Sequence, residues 1–165
     1  MKTTGERLRR EIQQHRPFHS RGQETVIALF RSADVLRRHF CRVLEPVGIT
    51  PQQYNVLRIL RGAGADGLPT LAIGERMLER TPGVTRLLDR MEEKGWVSRE
   101  RSAEDRRLVL CRATARGLDL LRELDAPIRA ADDAVVTGLS DRQCTQLLRA
   151  LEQVRGILDD GETTT

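Results

Sequence analysis

Apolar positions recur at helical spacing over most of the chain. From about Gln23 they fall at Val26, Leu29, Phe30, Ala33, Leu36, Phe40, Val43 and Leu44, which predicts an amphipathic helix that ends at Pro46 and Gly48. Upstream, residues 1–22 are polar and rich in Arg, Gln and His around Pro17, and predict a flexible arm or short helix. Thr50-Pro51-Gln52-Gln53 marks the next start, with a threonine cap, a proline at the first helical position and a glutamine that completes a capping box. Ile49 and Tyr54 stand where a hydrophobic staple packs. This helix carries Val56, Leu57 and Leu60 to a glycine-rich loop at Gly62–Gly67. A short helix over Thr70–Leu78 follows. Thr81-Pro82-Gly83 then repeats the threonine cap and first-turn proline before a helix that runs to Lys94, with Gly95 as its stop.

There the period changes. Trp96–Arg101 and Arg107–Arg112 are short, alternating and partly β-branched, and the run Ser102-Ala103-Glu104-Asp105-Arg106 between them predicts a β-hairpin. Thr114 caps another helix, apolar at Leu118, Leu121, Leu124 and Ile128. Pro127 inside it is expected to kink or break it by clashing with the carbonyl of Glu123. Gly138 closes that segment, and Ser140-Asp141-Arg142-Gln143 is a second capping box. The last helix carries Cys144, Leu147, Leu148, Leu151, Val154 and Leu158, and residues 159–165 are expected to be a disordered tail. Four helices, a hairpin and two helices, with two short helices directly before the hairpin, predict an all-α fold with a small β-hairpin wing: a winged helix-turn-helix.

The helix after Thr81 gives this fold a use. Val84, Leu87, Leu88 and Met91 define one buried face, while Pro82, Arg86, Asp89 and Glu93 project from the other, flanked by Thr85 and Arg90. Its first turns therefore offer small residues, a hydroxyl and an arginine, which suits entry into the major groove of DNA. Pro82 and Gly83 keep bulk away, the first-turn amides favour a phosphate, and Arg86 reaches a guanine edge. Taken alone, this is also the pattern of an ordinary helix with a solvated face. The hairpin decides between them. Residues 96–112 hold five arginines (99, 101, 106, 107 and 112) against Glu100, Glu104 and Asp105, and an arginine-tipped hairpin fits a narrow, electronegative minor groove.

Composition adds little to this. Of 28 basic residues only Lys2 and Lys94 are lysine, and the net charge is +4. The arginine bias suits phosphate and guanine, although a GC-rich genome produces the same bias. Aromatics are 3% of the chain, so the core is expected to be Leu, Val, Ile and Ala. Three cysteines (Cys41, Cys111 and Cys144) without regular spacing argue against a disulfide framework or zinc site. His15 and His19 straddle Pro17, which spoils a metal-binding face. No signal peptide and no membrane-length apolar run are seen, so the expected location is cytoplasmic, with no membrane partner and no cofactor. No nucleophile–base set or phosphate loop points to an enzyme.

The stretch Leu71–Thr114 resembles the DNA-binding core of the MarR (multiple antibiotic resistance regulator) family. The resemblance rests on Thr81-Pro82-Gly83-Val84-Thr85-Arg86-Leu87-Leu88-Asp89-Arg90-Met91-Glu92, on Lys94-Gly95-Trp96-Val97, and on Asp105-Arg106-Arg107 followed by Thr114. The family's wing pattern sets a leucine before that threonine, where this chain has Ala113. The flanking helices fit in number and order, extending the resemblance over roughly residues 23–158. It implies a homodimer on double-stranded DNA, with residues 23–48 as a first dimerisation helix, 49–113 as the DNA-binding lobe and 114–158 as C-terminal dimerisation helices. The expected DNA contacts are Thr81, Pro82, Gly83, Thr85, Arg86, Arg90, Arg106 and Arg107. Asp105 is expected to hold the wing in shape, and Asp89 to clamp an arginine such as Arg86. Apolar faces on the terminal helices also call for a second copy, with an intramolecular bundle as the alternative. The resemblance further implies repression as the commoner habit and a small aromatic or phenolic ligand that releases the DNA, with His39, Phe40 and Tyr54 as candidate pocket residues. Cys41 reads as a buried structural thiol, against the alternative of a redox sensor. A helical dimer serving as a protein-binding adaptor is the competing reading.

Overall fold

The computed structural model describes residues 4–102, 105 and 107–162. By its contacts the chain divides into two compact units, Met1–Ile128 and Arg129–Thr165. In the first, α1 (Thr4–Glu11) precedes the long α2 (Arg21–Leu44), which a short 3-10 turn (Glu45–Val47) joins to α3 (Pro51–Ala63). Then come β1 (Leu68–Pro69), α4 (Thr70–Glu75), α5 (Val84–Glu93), β2 (Val97–Arg101), β3 (Val109–Ala113) and the start of α6 (Ala115–Val136). The second unit holds the end of α6 and α7 (Asp141–Glu162).

Local sequence rules account for most helix ends. Ser20 caps α2 by accepting from the Gln23 amide at 3.1 Å, and the Gln23 side chain accepts from the His19 amide at 2.9 Å. The capping box at Thr50 is complete: the Gln53 amide donates to Thr50 Oγ1, and the Thr50 amide donates to Gln53 Oε1. Ser140 and Gln143 make the same reciprocal pair ahead of α7. Thr114 caps α6 by accepting from the Gly117 amide at 3.1 Å, while its hydroxyl donates to the Gly95 carbonyl at 2.6 Å.

Four expectations need correction. The helix after Thr81 starts at Val84, not in the Thr-Pro pair. Gly83 is its N-cap residue at φ 77°, a left-handed conformation that breaks the helical path, and Thr81 instead donates to the Glu79 carbonyl. The hairpin belongs to a three-stranded antiparallel sheet of order β1-β3-β2, because Leu68 and Pro69 pair with Cys111 and Leu110. Two residues carry no periodicity, so β1 left no trace in the pattern. α6 runs through Pro127 as one helix, so the expected break does not occur; buried Leu124 and Ile128 flank the exposed proline. α7 reaches Glu162, so residues 159–162 are helical where a disordered tail is expected, and residues 163–165 lie outside those described.

One core serves the first unit. Leu44, Val56, Leu57, Leu60, Ile73, Leu87, Leu88, Met91, Trp96, Val97, Cys111, Leu121 and Leu124 are all buried in one cluster. The sheet register places Arg99 opposite Cys111 and Val97 opposite Ala113, so the foot of the hairpin points Val97 and Cys111 inward. Phe40, Val43 and Tyr54 pack against the same cluster, bringing α2 and α3 to it. Gly117 is where α6 passes closest to the strand: a Cβ there would run into the Trp96 carbonyl and come within 3.1 Å of Leu57 Cδ2. Among the described residues, no helix is long and apolar enough to cross a membrane.

Two stability effects follow. Gly117→Ala is expected to cost about 1–3 kcal/mol, the usual range for overpacking, read as a lower urea midpoint with an unchanged slope. An unchanged midpoint would show that α6 yields there freely. Burial pushes the Cys111 thiol above its ordinary pKa, with the Thr70 hydroxyl and Arg99 opposing the rise. The neutral thiol is thus favoured in the fold, and its contribution is intact below the unfolded thiol value of about 8.5 and lost as pH climbs through the folded value. Urea titrations from pH 8 to 10 should show stability falling with pH in the natural chain and a shallower fall in Cys111→Ala. Equal slopes would remove the thiol from the account.

Candidate nucleic-acid interface

The geometry of α5 follows from its buried side. Leu87, Leu88 and Met91 are sealed into the core, so the helix cannot roll, and Thr85, Arg86 and Arg90 are exposed opposite them. Pro82 and Gly83 are exposed just ahead of the first turn, with Thr81 half-buried beside them. The structure therefore brings Thr81, Pro82, Gly83, Thr85, Arg86 and Arg90 to one end and one side of α5. The Arg90 guanidinium lies back along the helix and donates from Nε to the Arg86 carbonyl at 3.3 Å.

Asp89 does not pair with Arg86 as expected. Its Oδ1 accepts from Nη2 of Arg99 on β2 at 2.6 Å, and Glu92 Oε2 lies 3.4 Å from Arg99 Nε. The same guanidinium donates to the Thr85 carbonyl at 3.4 Å. Arg99 is largely buried, and its Nε has no hydrogen-bond acceptor, so the two carboxylates compensate a charge that water barely reaches. Because Arg99 sits in the strand at the hairpin's foot, this contact locks the wing's direction to that of α5. The alternation of charge in Ser98-Arg99-Glu100-Arg101 gave no sign of which arginine turns inward.

At the hairpin tip, Asp105 ties the turn. Its Oδ1 accepts from the Arg107 amide at 2.9 Å, its carbonyl accepts from the Leu108 amide at 2.9 Å, and its own amide donates to Ser102 Oγ at 3.3 Å. Its carboxylate is 3.9 Å from Arg107 Nε, yet the Arg107 side chain stays 95% exposed. Arg106 lies outside the described residues. Arg112 points away from the tip, donating to the Ala65 carbonyl at 2.6 Å and pairing with Glu100.

The residues expected at a ligand pocket lie along α2 and α3, and Phe40 and Tyr54 pack against the core. His39 and Phe40 meet edge to face at 5.5 Å, and Tyr54 lies under Arg58 with its centroid 5.9 Å from the guanidinium carbon. A concavity of about 780 Å³ opens instead on another face of α2, lined among others by Arg38, Cys41, Arg42, Gly48, Ile49 and Pro51. None of the three expected residues lines it. Cys41 is exposed there, contrary to its reading as a buried thiol; the buried cysteine is Cys111. Position 41 falls between the apolar stripe residues Phe40 and Val43, and only the fold shows that it faces away from the core. Among the described residues, no cluster of three or more His, Cys, Asp or Glu side chains could hold a metal ion.

Comparison with known proteins places this geometry in a family. The model of the MarR family matches residues 49–109, which include α3, α4, α5 and most of the hairpin. The structure is similar to that of a MarR transcription factor from Planctomyces limnophilus, with 34% identity, 82% of this chain and 98% of that one covered, and a TM-score of 0.63. It is also similar to MepR of S. aureus, solved as a DNA complex (27% identity, 78% and 95% covered, TM-score 0.71). A third likeness is to NadR, solved with 4-hydroxyphenylacetate (26% identity, 84% and 97% covered, TM-score 0.65). With its winged-helix lobe and this coverage, the chain belongs to the MarR family of transcription regulators.

Proposed function

We propose that the chain is a repressor that binds a palindromic promoter site as a homodimer and is released by a small aromatic or phenolic ligand. The observation that carries the DNA reading is the Arg99–Asp89 contact, which ties the strand at the hairpin's foot to the helix whose first turn is exposed. In this reading Thr81, Pro82, Gly83 and Thr85 approach the major-groove edge, Arg86 reads a guanine, and Arg90 meets the backbone. Arg107, beside Arg106, enters the minor groove. MepR bound to DNA supports the assignment.

The dimer is supported by apolar side chains left in water. On α2, Phe30 is 74% exposed and Val26 is exposed one turn before it; on α7, Ile157 is 73% exposed beside Leu158, with Leu147 and Leu148 two turns and more upstream. Rows of this size on a soluble helix call for a partner, and a second copy sets two α5 helices about one DNA turn (~34 Å) apart. A dimer seated on a promoter blocks access to it, which is repression. For the ligand, the concavity on α2 has the size of a small-molecule site, and Arg42, with Arg38 paired to Asp34 at 3.0 Å, lines it beside Glu45 and apolar Ile49 and Pro51. NadR with 4-hydroxyphenylacetate is the relevant likeness.

Footprinting on the DNA upstream of the chain's own coding sequence tests this. Arg86→Ala should relax base preference at one position per half-site by about 1–3 kcal/mol. Arg107→Ala should weaken binding to all sequences and lower the slope of log affinity against log salt by about 1. If both variants are folded dimers that bind like the natural chain, these contacts are wrongly assigned. A sedimentation mass of a single chain at micromolar concentration would refute the dimer.

A further inference from the structure

Lys94, one of the chain's two lysines, occupies a position that the DNA reading does not use. It is the C-cap residue of α5. Its Nζ donates to the Gly48 carbonyl at 3.4 Å and lies 4.4 Å from the centroid of the Trp96 ring. Gly48 lines the concavity on α2 and ends the 3-10 turn that leads into α3. Trp96 is buried and opens the hairpin: its amide donates to the Met91 carbonyl of α5, and its carbonyl accepts from the Thr114 amide. One ammonium group thus touches the wall of the concavity, the end of α5 and the root of the wing.

We propose that Lys94 is the positioning residue that couples the concavity to α5 and the wing. The inference rests on the concavity being the ligand site, as argued above. The contact is solvent-exposed and its hydrogen bond is long, so it adds little to stability. Its value is geometric. An occupant that displaces the turn at Gly48 moves the acceptor of Lys94, and the ammonium moves with it over the Trp96 face. The ring attraction makes that displacement felt at the junction of α5 and β2. Because the opposite side of α5 is sealed in the core, a pull at its C-terminal end tilts the helix and does not slide it. The differential contact that any ligand-driven switch requires is then the Lys94–Trp96 contact, which differs between the two positions of the ammonium.

The test needs no identified ligand, because Cys41→Phe places a ring in the concavity as a fixed occupant, and Trp96 is the chain's single tryptophan. Cys41→Phe should shift the Trp96 emission maximum when Lys94 is present. In the Lys94→Met background, which keeps the aliphatic stem on the ring but removes the donor, the same substitution should produce no shift. Lys94→Arg should restore it. A shift that persists in Lys94→Met, or none in the natural background, overturns the proposal. DNA affinity measured on the same chains separates it from the reading it rests on. Coupling through Lys94 predicts that Cys41→Phe weakens binding about three- to fivefold in the natural background, the most that an exposed contact of this kind transmits, and leaves it unchanged in Lys94→Met. If the emission shift follows Lys94 but DNA affinity never changes, the relay stands and the concavity is not the release site.

Discussion

The lobe depends on burying one side of a ten-residue helix. Leu87, Leu88 and Met91 of α5 have almost no exposed surface, and each fully buried side chain of this size stabilises by roughly 1.5–3 kcal/mol. A helix of that length has little stability of its own in water. The same contacts that make α5 a helix therefore fix its rotation, and with it the outward position of Thr85 and Arg86. The elements packed against α5 are β2 and α4, and its three buried side chains share one cluster with Val97 and Ile73. Folding and presentation are one event here: the outward face exists only because the inward face is satisfied.

What burial cannot do is set the direction of the hairpin beyond its last buried rung, where Cys111 stands opposite Arg99. Arg99 does that, at the cost of drawing a guanidinium largely out of water. Two carboxylates from successive turns of α5 offset the cost, and breaking such a set leaves an uncompensated charge. Asp89 and Glu92 thereby lose their freedom to face DNA as bare negative charges. Acids on the helix that approaches phosphate look contradictory in the sequence; in the structure they are the wing's anchor. Asp105 repeats the principle at the tip, spending its carboxylate on the Arg107 amide and leaving the Arg107 side chain free to reach outward.

The sequence was most legible where a rule is local. Capping at Thr50, Thr114 and Ser140 needs only residues three apart, and the buried stripe of α5 needs only the helical period. It was least legible where the partner is distant in the chain. Asp89 has Arg86 and Arg90 as near neighbours, and nothing local ranks Arg99, ten positions away in another element, above them. β1 has two residues, too few for any period, and is a strand only because Cys111 and Leu110 are there to pair. Gly83 was misread for a related reason: Thr-Pro is a good helix start, but the left-handed glycine after it postpones the start to Val84. The concavity on α2 had no signal in the sequence. A concavity is a property of several surfaces together, and aromatic character at His39, Phe40 and Tyr54 says nothing about which side of α2 is hollow.

A regulator of this kind has to be rigid in reading DNA and yet able to yield to a signal. The first unit answers with contacts of unequal strength. The buried face of α5 and the Arg99 clamp are strong and hold helix and wing as one body. The link from that body to the turn before α3 runs through an exposed lysine and a long hydrogen bond. Weak contacts move first under load. Under the proposed relay, a displacement at Gly48 acts on that weak link and leaves the buried face of α5 intact. The Arg99 contacts, by contrast, join a mostly shielded guanidinium to two half-exposed carboxylates and hold the hairpin's foot more firmly than Lys94 holds the turn at Gly48.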